Sequence, residues 1–423
     1  MQVELAYGRT WIPVELPDGI TDVVVPKFIE GVSDEAKALR EALRDPIASL
    51  PLKELVKPGD KVAIVFCDGT RPMPSHRVLP VLLDELEMVP DLEIVLINAL
   101  GTHRRNTETE LNSILGEDIA GKYKIVQSYC DEEAEYKKVG ISRKDYAIKF
   151  RQDYVDADVR IVTGFIEPHF FAGFSGGPKL VAPGVSSRDT IMHLHSPDLI
   201  GDPNSTWGLS YADGNPLSGA IMEAASLCPP HFSLNVTLNR HHEITGVFAG
   251  DLEKAHQKGI EFVRETAMQA VSEPYDIVIT TNSGYPLDQN LYQTVKGLSA
   301  AAQIVKDGGV IIAAAECSDG YPSHGNYREM LLESPSMECF LRHMREDRYD
   351  VTDRWQVQIQ AMVHQKADIY LYTDGLTDEE IKDAHLRPCH DMAALVSELV
   401  SDRGPGVRIC VLPEGPMTIP YVK

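Results

Sequence analysis

The sequence contains no long hydrophobic run and no surplus of positive charge. No stretch of about 18 consecutive apolar residues occurs, so we expect no membrane-spanning helix. The opening residues, MQVELAYGRT, lack the basic and apolar regions of a secretory signal, and we expect a cytoplasmic protein. The 40 Lys and Arg residues are outnumbered by 63 Asp and Glu residues, which gives a net charge of -23. A nucleic-acid partner, which requires a basic face, is therefore not expected.

Several common cofactor and metal signatures are missing as well. There is no HExxH zinc motif and no pair of cysteines in CxxC spacing. Neither GxGxxG nor Gly-Lys-Ser/Thr occurs, which argues against the usual dinucleotide and nucleoside triphosphate loops. The scattered cysteines are expected to be buried, reduced thiols: Cys67, Cys130, Cys228, Cys317, Cys339, Cys389 and Cys410.

The order of apolar patterns predicts an α/β protein. Apolar, β-branched runs alternate with segments of helical spacing, which is typical of doubly wound, mostly parallel sheets. The runs predicted as strands are 62–67, 92–100, 124–129 and 159–165 in the first half, and 275–281, 309–316, 367–373 and 407–412 in the second.

A chain of 423 residues is long enough for two domains. A charged helical segment leads through Pro274 into the first strand of the second half, which puts the boundary near 265–275. We therefore predict an N-terminal domain over 1–270 and a C-terminal domain over 275–423. Residues 180–250 are less regular, and we expect an insertion or a smaller subdomain packed on the first sheet.

The first candidate site follows strand 62–67, because ligands bind beyond the carboxyl ends of parallel strands. The residues there are Asp68-Gly69-Thr70-Arg71-Pro72. Gly69 permits a tight turn, and the guanidinium of Arg71 suits a two-pronged grip on a carboxylate or phosphate. A loop ion pair between Asp68 and Arg71, without any ligand, is an equal alternative.

A histidine follows the next predicted strand, 92–100. His103 can be a general base, a metal ligand or an ordinary surface residue. A helix is predicted to begin directly after it, at Asn106 or Thr107, where an acidic first turn follows.

The loop after strand 159–165, EPHFFAGFSGGPK at 167–179, is the most informative stretch. Its glycines and Ser175 are predicted to expose backbone N–H groups, as an anion-binding nest does. The phenylalanines beside His169 indicate either a pocket wall or core. A purely structural turn would not need His169, Ser175 and Lys179 together, so function is favoured.

Two further segments carry candidate residues. His193 and His195 lie two positions apart at the end of a short predicted helix, so they face different sides. In the second half, Tyr292, Gln293 and Lys296 share one helix face, where Lys and Gln can hold a carboxylate and a hydroxyl. A solvated helix face is the alternative, and Trp355-Gln356 can supply an apolar wall. The remaining histidines are interpreted as ordinary surface or core residues: His76, His231, His241, His242, His256, His324, His343, His364, His385 and His390.

Taken in order, these blocks resemble the nickel-dependent lactate racemase family. The resembling stretches are DGTRP at 68–72, GTHR at 101–104, the block at 167–179, a downstream histidine, and YQxxK at 292–296. They span most of the chain, and the block at 167–179 is the most specific. The resemblance implies two α/β domains with the active site in the cleft between them. It also implies the nickel-pincer nucleotide, pyridinium-3,5-bisthiocarboxylic acid mononucleotide, which holds nickel through two sulfurs and a ring carbon.

The resemblance further implies which residues hold this cofactor. By its spacing from Lys179, His195 corresponds to the histidine ligand of nickel better than His193 does. It precedes Ser196-Pro197, where an asparagine-proline-like turn is expected in the family. Lys179 corresponds to the lysine to which the cofactor can be attached. The residues implied to hold the cofactor and its phosphate are Asp68, Gly69, Thr70, Arg71, Ser175, Gly176 and Gly177.

The implied activity is that of a racemase or epimerase of a 2-hydroxy acid. His103 and His169 correspond to paired acid/base residues, each of which takes the hydroxyl proton of one enantiomer. The hydrogen on carbon moves as hydride to the cofactor and returns to the opposite face of a flat 2-oxo acid. The residues implied to bind the substrate are Arg71, Tyr292, Gln293, Lys296 and Trp355.

The implied partners are a small-molecule 2-hydroxy acid and, transiently, the enzymes that make the cofactor. Two other functions account for part of the same residues. A nucleotide- or phosphosugar-dependent hydrolase or lyase would use His103, His169 and Lys179 but leaves the YQxxK block unexplained. A non-catalytic nickel-cofactor carrier needs a metal ligand but not an acid/base pair.

Overall fold

A computed structural model of the chain describes residues 1–323, 325–346 and 348–423. These residues form two compact units. The larger unit comprises Phe28–Leu199 and Asn204–Glu265, and the smaller unit comprises Met1–Lys27, Ile200–Pro203 and Thr266–Lys423. Each unit contains a six-stranded, mostly parallel sheet with helices, which confirms the predicted fold class.

The strands and helices are named in chain order. The strands are β1 (Gln2–Tyr7), β2 (Thr10–Glu15), β3 (Thr21–Val23), β4 (Lys61–Cys67), β5 (Glu93–Ala99), β6 (Lys124–Gln127), β7 (Tyr136–Ile141), β8 (Ala147–Arg151), β9 (Val159–Phe165), β10 (Pro168–His169), β11 (Gly173–Phe174), β12 (Phe232–Leu238), β13 (Ile244–Gly250), β14 (Met268–Val271), β15 (Tyr275–Thr281), β16 (Val305–Ala314), β17 (Ala367–Tyr372), β18 (Arg387–Pro388), β19 (Ile409–Leu412) and β20 (Ile419–Val422). The α-helices are α1 (Glu35–Arg44), α2 (Leu52–Leu55), α3 (Ser75–Leu86), α4 (Glu108–Leu115), α5 (Glu117–Lys122), α6 (Gln152–Val155), α7 (Arg188–Leu194), α8 (Pro197–Ile200), α9 (Pro216–Ser226), α10 (Leu252–Ala267), α11 (Leu291–Ala302), α12 (Tyr327–Glu333), α13 (Met337–Arg345), α14 (Arg354–Lys366), α15 (Asp378–Asp383) and α16 (Met392–Arg403). Short 3₁₀ helices span Glu133–Glu135, Gly177–Leu180, Tyr211–Asp213 and Gly415–Met417. Within the described ranges, no helix combines the length and the apolar character needed to cross a membrane.

The sheet of the larger unit has the order β13-β12-β9-β4-β5-β6. All neighbouring strands are parallel except β12 and β13, which are antiparallel. The central strand β4 reads KVAIVFC and is buried after its first residue, as expected for a parallel strand covered on both faces. The four strands predicted in the first half of the sequence are therefore confirmed.

The last part of the less regular segment 180–250 contributes β12 and β13 directly to this sheet, so this part is not a separate subdomain. The sequence pattern does not indicate β12, because polar residues alternate along this strand. Ser233, Asn235 and Thr237 are all buried in β12, where they interrupt the apolar run that marks the other strands.

The sheet of the smaller unit has the order β18-β17-β16-β15-β19-β3 and is parallel throughout. Its strands confirm the four predicted in the second half. Its edge strand β3 comes from the start of the chain and pairs with β19. Residues 1–27 therefore fold with the C-terminal residues, whereas the sequence pattern placed them in a domain over 1–270. A strand of three residues, TDV, carries too little periodicity to reveal a partner from the far end of the chain.

Polar caps fix the helices that follow the candidate loops. The hydroxyl of Thr107 accepts the N–H of Glu110 at 3.2 Å, and the Glu110 carboxylate accepts the N–H of Thr107 at 2.7 Å. This reciprocal capping box starts α4 at Thr107 rather than at Asn106. Ser187 caps α7 and Asn290 caps α11 in the same way, through side-chain oxygens.

Replacing Thr107 by Ala is expected to destabilise the first turn of α4 by about 1 kcal/mol, because one backbone donor loses its acceptor. That cost corresponds to roughly fivefold faster amide hydrogen exchange in this turn. Mass-spectrometric exchange on Thr107→Ala and on the matched control Thr107→Ser measures it. Equal exchange rates in the alanine variant and the unmodified chain would show that the cap contributes nothing.

Candidate active site

The candidate residues of the larger unit follow three strands that are neighbours in the sheet. The order β9-β4-β5 places the loops after all three carboxyl ends at one edge. Chain order reverses between β4 and β9, and ligands of open α/β sheets bind at such switch points. The loop at 68–72, the loop carrying His103 and the loop at 167–179 therefore meet, although the sequence separates them.

Asp68 and His103 form a direct contact between two of these loops. The Nδ1–H of His103 donates to Oδ2 of Asp68 at 2.7 Å, and the hydroxyl of Thr70 donates to Oδ1 at 2.8 Å. Burial by itself raises the pKa of Asp68, but the charge and hydrogen bond of His103, with Arg71 and Thr70, hold that pKa below its usual value. An ionised Asp68 fixes the proton of neutral His103 on Nδ1 and leaves the lone pair on Nε2.

This arrangement argues against the simpler interpretation of the 68–72 motif, a loop ion pair between Asp68 and Arg71. The carboxylate that the simpler alternative paired with Arg71 is instead bonded to His103. Arg71 lies near enough to lower the pKa of Asp68, while its guanidinium contacts Thr70 at 3.4 Å. The sequence did not reveal that Asp68 would orient a histidine, because the two residues lie 35 positions apart.

His169 lies in a tight hairpin in which β10 pairs with β11. The side chain is 7% exposed. Its Nδ1 accepts the backbone N–H of Ala172 at 3.2 Å, and its Nε2 lies 3.2 Å from Nζ of Lys179. The histidine and the lysine that the sequence singled out in this loop are therefore in contact.

Phe171 touches all three functional side chains of this region. Its ring centre lies 4.5 Å from that of His169 and 5.6 Å from that of His195, in both cases edge to face. The Nζ of Lys179 lies 5.6 Å from the same ring. Phe171 is itself buried, so both interpretations of the phenylalanines, pocket wall and core, apply to it. Apart from its adjacency to His169, nothing in the sequence indicated that Phe171 would occupy this shared position.

His195 and His193 occupy different environments, as their spacing predicted. His195 is buried at the end of α7, and its Nδ1–H donates to the carbonyl of Ile191 at 2.9 Å. Its Nε2 therefore carries the lone pair and is the nitrogen able to bind a metal. His193 instead stacks on Tyr146 at 4.2 Å, and burial, then Lys144, lowers its pKa. Of the two, His195 is therefore the better candidate for a metal ligand.

The glycine-rich loop uses its backbone donors internally. The N–H of Ser175 donates to the Glu167 carbonyl at 2.9 Å, and the N–H of Lys179 to the Gly176 carbonyl at 3.1 Å. The N–H of Gly177 donates to Oδ1 of Asn235 at 2.9 Å. The prediction of an exposed anion-binding nest is wrong for these three donors, because β12 and the loop itself satisfy them.

Ser175 also stands in a Gly-x-Ser-x-Gly string, the spacing of a hydrolase nucleophile. Its side chain is 4% exposed, and its hydroxyl donates to the Phe165 carbonyl at 2.7 Å. The hydroxyl therefore fastens the loop to the end of β9, which is a structural role and not that of a nucleophile.

His256 is a residue that the sequence interpretation missed. It lies on α10, is 3% exposed, and its Nε2–H donates to the Ser175 carbonyl at 2.8 Å. Burial lowers its pKa to about 4, so the ring is neutral. A Cβ on Gly177, which has φ 48°, would lie 2.6 Å from this ring. The available signal was helical spacing, because His256, Ile260 and Val263 form one buried face.

His324, another of the histidines interpreted as ordinary, lies outside the described residues.

In the smaller unit, the helix face carrying the YQxxK block is partly buried and not a solvated face. Tyr292, Gln293 and Lys296 are all of intermediate exposure on α11, which packs on α14. The indole N–H of Trp355 donates to the hydroxyl of Tyr292 at 3.2 Å, and the amide of Gln356 donates to the Tyr292 carbonyl. The indole hydrogen bond joins Trp355 to Tyr292, the two aromatic residues that are predicted to line the substrate site.

Comparisons with known proteins agree over nearly the whole chain. Residues 7–208 match the lactate racemase N-terminal domain family, and residues 270–419 match the lactate racemase C-terminal domain family. The chain is 35% identical over 420 residues to a lactate racemase of Thermoanaerobacterium thermosaccharolyticum, covering 98% of this chain and 97% of that protein. It is 34% identical over 421 residues to a lactate racemase of Lactiplantibacillus plantarum, covering 98% of each.

Solved structures show the same relationship. The lactate racemase apoprotein from T. thermosaccharolyticum matches with a TM-score of 0.93 at 33% identity, covering 99% of this chain and 100% of that chain. A Thermotoga maritima protein shares the fold with a TM-score of 0.68 at 18% identity, covering 94% of this chain and 100% of that chain.

Replacing His256 by Gln is expected to flatten the dependence of stability on pH. The unfolded chain binds a proton at this ring near pH 6.5 and the folded chain only near about 4, so stability falls as the pH falls through that window. The loss amounts to at most roughly 3 kcal/mol, and it is absent above the window. Glutamine keeps a donor without titrating.

Urea unfolding at a series of pH values measures this effect, with the exposed His76→Gln as control. A His256→Gln variant with the same pH slope as the unmodified chain would contradict the assignment.

Proposed function

The chain belongs to the lactate racemase family, and we propose that it is an isomerase that racemises lactate or a closely related 2-hydroxy acid. The observation that carries this proposal is the pair of histidines at one sheet edge. His103 and His169 are each held by a partner of their own, a carboxylate in one case and a backbone N–H in the other. A binding protein would not require two oriented imidazoles.

Inversion of a carbon that bears hydroxyl and hydrogen requires proton handling for either enantiomer. A single fixed base reaches the hydroxyl of only one of them in a given pose. We assign His103 to the hydroxyl proton of one enantiomer and His169 to that of the other, since imidazole exchanges protons near neutral pH. Asp68 stabilises the imidazolium that forms at His103.

The residues present fit the nickel-pincer nucleotide. His195 offers Nε2 to a metal, because its Nδ1–H is bonded to Ile191. Lys179 reaches the same region with its amine, beside His169 and Phe171. When bound, this cofactor would supply the site that accepts and returns the hydride of the substrate.

The phosphate of such a cofactor requires cations or free donors. The backbone N–H groups of Ser175, Gly177 and Lys179 already have protein acceptors. We therefore place the phosphate contact on Arg71 and on the backbone of the Gly69-Thr70 turn, since the Thr70 hydroxyl already donates to Asp68. Ser175, Gly176 and Gly177 shape the loop that carries Lys179. Asp68 acts on the cofactor site indirectly, because it accepts a hydrogen bond from His103 and so orients that ring.

Gln293 and Lys296 are proposed to hold the substrate carboxylate and hydroxyl. The Oε1 atom of Gln293 is buried and has no hydrogen-bond partner among the described residues, so it can accept a substrate hydroxyl. Lys296, one helical turn away, supplies the charge that a carboxylate needs. Tyr292 and Trp355, fixed to each other, favour a small apolar substituent such as the methyl group of lactate.

Replacing His103 or His169 by Gln is expected to lower kcat/KM for lactate racemisation by at least about 100-fold, because each change removes an acid/base group. Chiral chromatography of lactate incubated with nickel- and cofactor-loaded enzyme measures the rate. The matched control is His193→Gln, which changes a histidine of α7 that stacks on Tyr146, and it is expected to retain activity. Racemisation at an unchanged rate in either active-site variant would contradict the assignment. Cleavage products in place of the other enantiomer would favour a hydrolase or lyase.

Lys296→Met is expected to raise KM for lactate at least tenfold, on the order of 1.4 kcal/mol or more, through loss of the carboxylate contact. Lys296→Arg is expected to recover part of the affinity because it restores the charge. The control is Lys306→Met in the same unit, whose ammonium pairs with Asp276 at 2.9 Å. A KM equal to that of the control would remove Lys296 from the substrate site.

A further inference from the structure

The two histidines differ in the hydrogen bond made by Nδ1. At His103 the partner is the carboxylate of Asp68, which can only accept, so Nδ1 carries a proton. At His169 the partner is the backbone N–H of Ala172, which can only donate, so Nδ1 carries a lone pair. The backbone N–H of Phe171 points to the same Nδ1 at 3.5 Å.

The contact with Ala172 decides which ring nitrogen of His169 carries the proton. A neutral imidazole has one protonated and one unprotonated nitrogen. Because Nδ1 accepts, Nε2 holds the N–H. An imidazolium would bring an Nδ1–H against the Ala172 N–H, and the hairpin formed by β10 and β11 holds those two groups together.

The same reasoning sets the direction of the bond to Lys179. Its Nζ lies 3.2 Å from Nε2 of His169. If the lysine donated, both ring nitrogens would accept, which only an imidazolate can do. The bond therefore runs from Nε2–H to the lone pair of Lys179, which must be an uncharged amine to accept it.

We propose that His103 and His169 rest in opposite tautomers, with the proton on Nδ1 of His103 and on Nε2 of His169, where Lys179 accepts it. Asp68 and the Ala172 N–H are the positioning groups that set this difference. The inference rests on the proposed function for its consequence, but the proton positions follow from the hydrogen bonds alone.

The consequence is that the two enantiomers differ in how readily their hydroxyl proton is removed. His103 presents a lone pair on Nε2 and can take a hydroxyl proton at once. His169 must first move its proton from Nε2 to Nδ1, which breaks the hydrogen bond from the Ala172 N–H, before its Nε2 can do the same. The equilibrium constant of racemisation is one, so kcat/KM must be equal in both directions at every pH. The two enantiomers are therefore expected to differ in kcat and, by the same factor, in KM.

NMR of the full chain with ¹⁵N-labelled histidine tests the proton positions directly, because the two tautomers give distinct ring-nitrogen signals. His103→Gln and His169→Gln identify each set of signals by its disappearance. At neutral pH, the expected result is a protonated Nδ1 at His103 and a protonated Nε2 at His169. A protonated Nδ1 or an imidazolium at His169 would overturn the proposal.

Two variants test the role of Asp68 and the role of the Ala172 N–H separately. Asp68→Ala is expected to move the His103 proton to Nε2 and to leave His169 unchanged. Lys179→Met is expected to leave the His169 proton on Nε2, because Ala172 sets it. The control is Asp131→Ala, which removes an exposed carboxylate bonded to Arg188 and leaves both rings unchanged. A His103 tautomer unaffected by Asp68→Ala would contradict the role of the carboxylate.

A racemisation assay on the loaded enzyme separates this inference from the proposed function. Opposite tautomers in a chain that leaves lactate unchanged would support the proton assignment and defeat the function. Racemisation by a chain with identical tautomers would defeat the assignment alone.

Discussion

The adjacency of three parallel strands is the constraint on which the candidate site depends. Because β9, β4 and β5 are neighbours, the loops after them meet at one edge of the sheet. The short bond from His103 to Asp68 joins two of those loops, and the contact between His169 and Lys179 lies within the third. Parallel strands require long connections, so residues that act together must be far apart in sequence.

Packing behind the loops holds the candidate residues of the site in place. Asn235 and His256 occupy the acceptor and donor positions that hold the glycine-rich loop. Phe171 fills the space between His169, His195 and Lys179. These residues have no chemistry of their own in the proposed reaction. They fix the positions of the groups that do, which is how a site is kept preorganised.

The sequence predicted the eight main strands and the loops that follow them, because buried parallel strands are continuous apolar runs. It did not predict β12, in which Ser233, Asn235 and Thr237 are buried, or the pairing of β3 at the opposite end of the chain. Nor could it show that backbone N–H groups of the glycine-rich loop are already hydrogen-bonded within the protein. Those features depend on tertiary hydrogen bonds, for which a linear pattern carries no signal.

In the proposed function, this chain inverts a 2-hydroxy acid while the hydrogen on carbon stays on the molecule. The most direct measurement incubates one pure enantiomer of lactate with the nickel- and cofactor-loaded protein in deuterium oxide, followed by chiral separation and mass analysis. We expect equal amounts of both enantiomers, with the original hydrogen retained at carbon. An unchanged single enantiomer would contradict the proposed function, and deuterium at carbon would contradict hydride transfer.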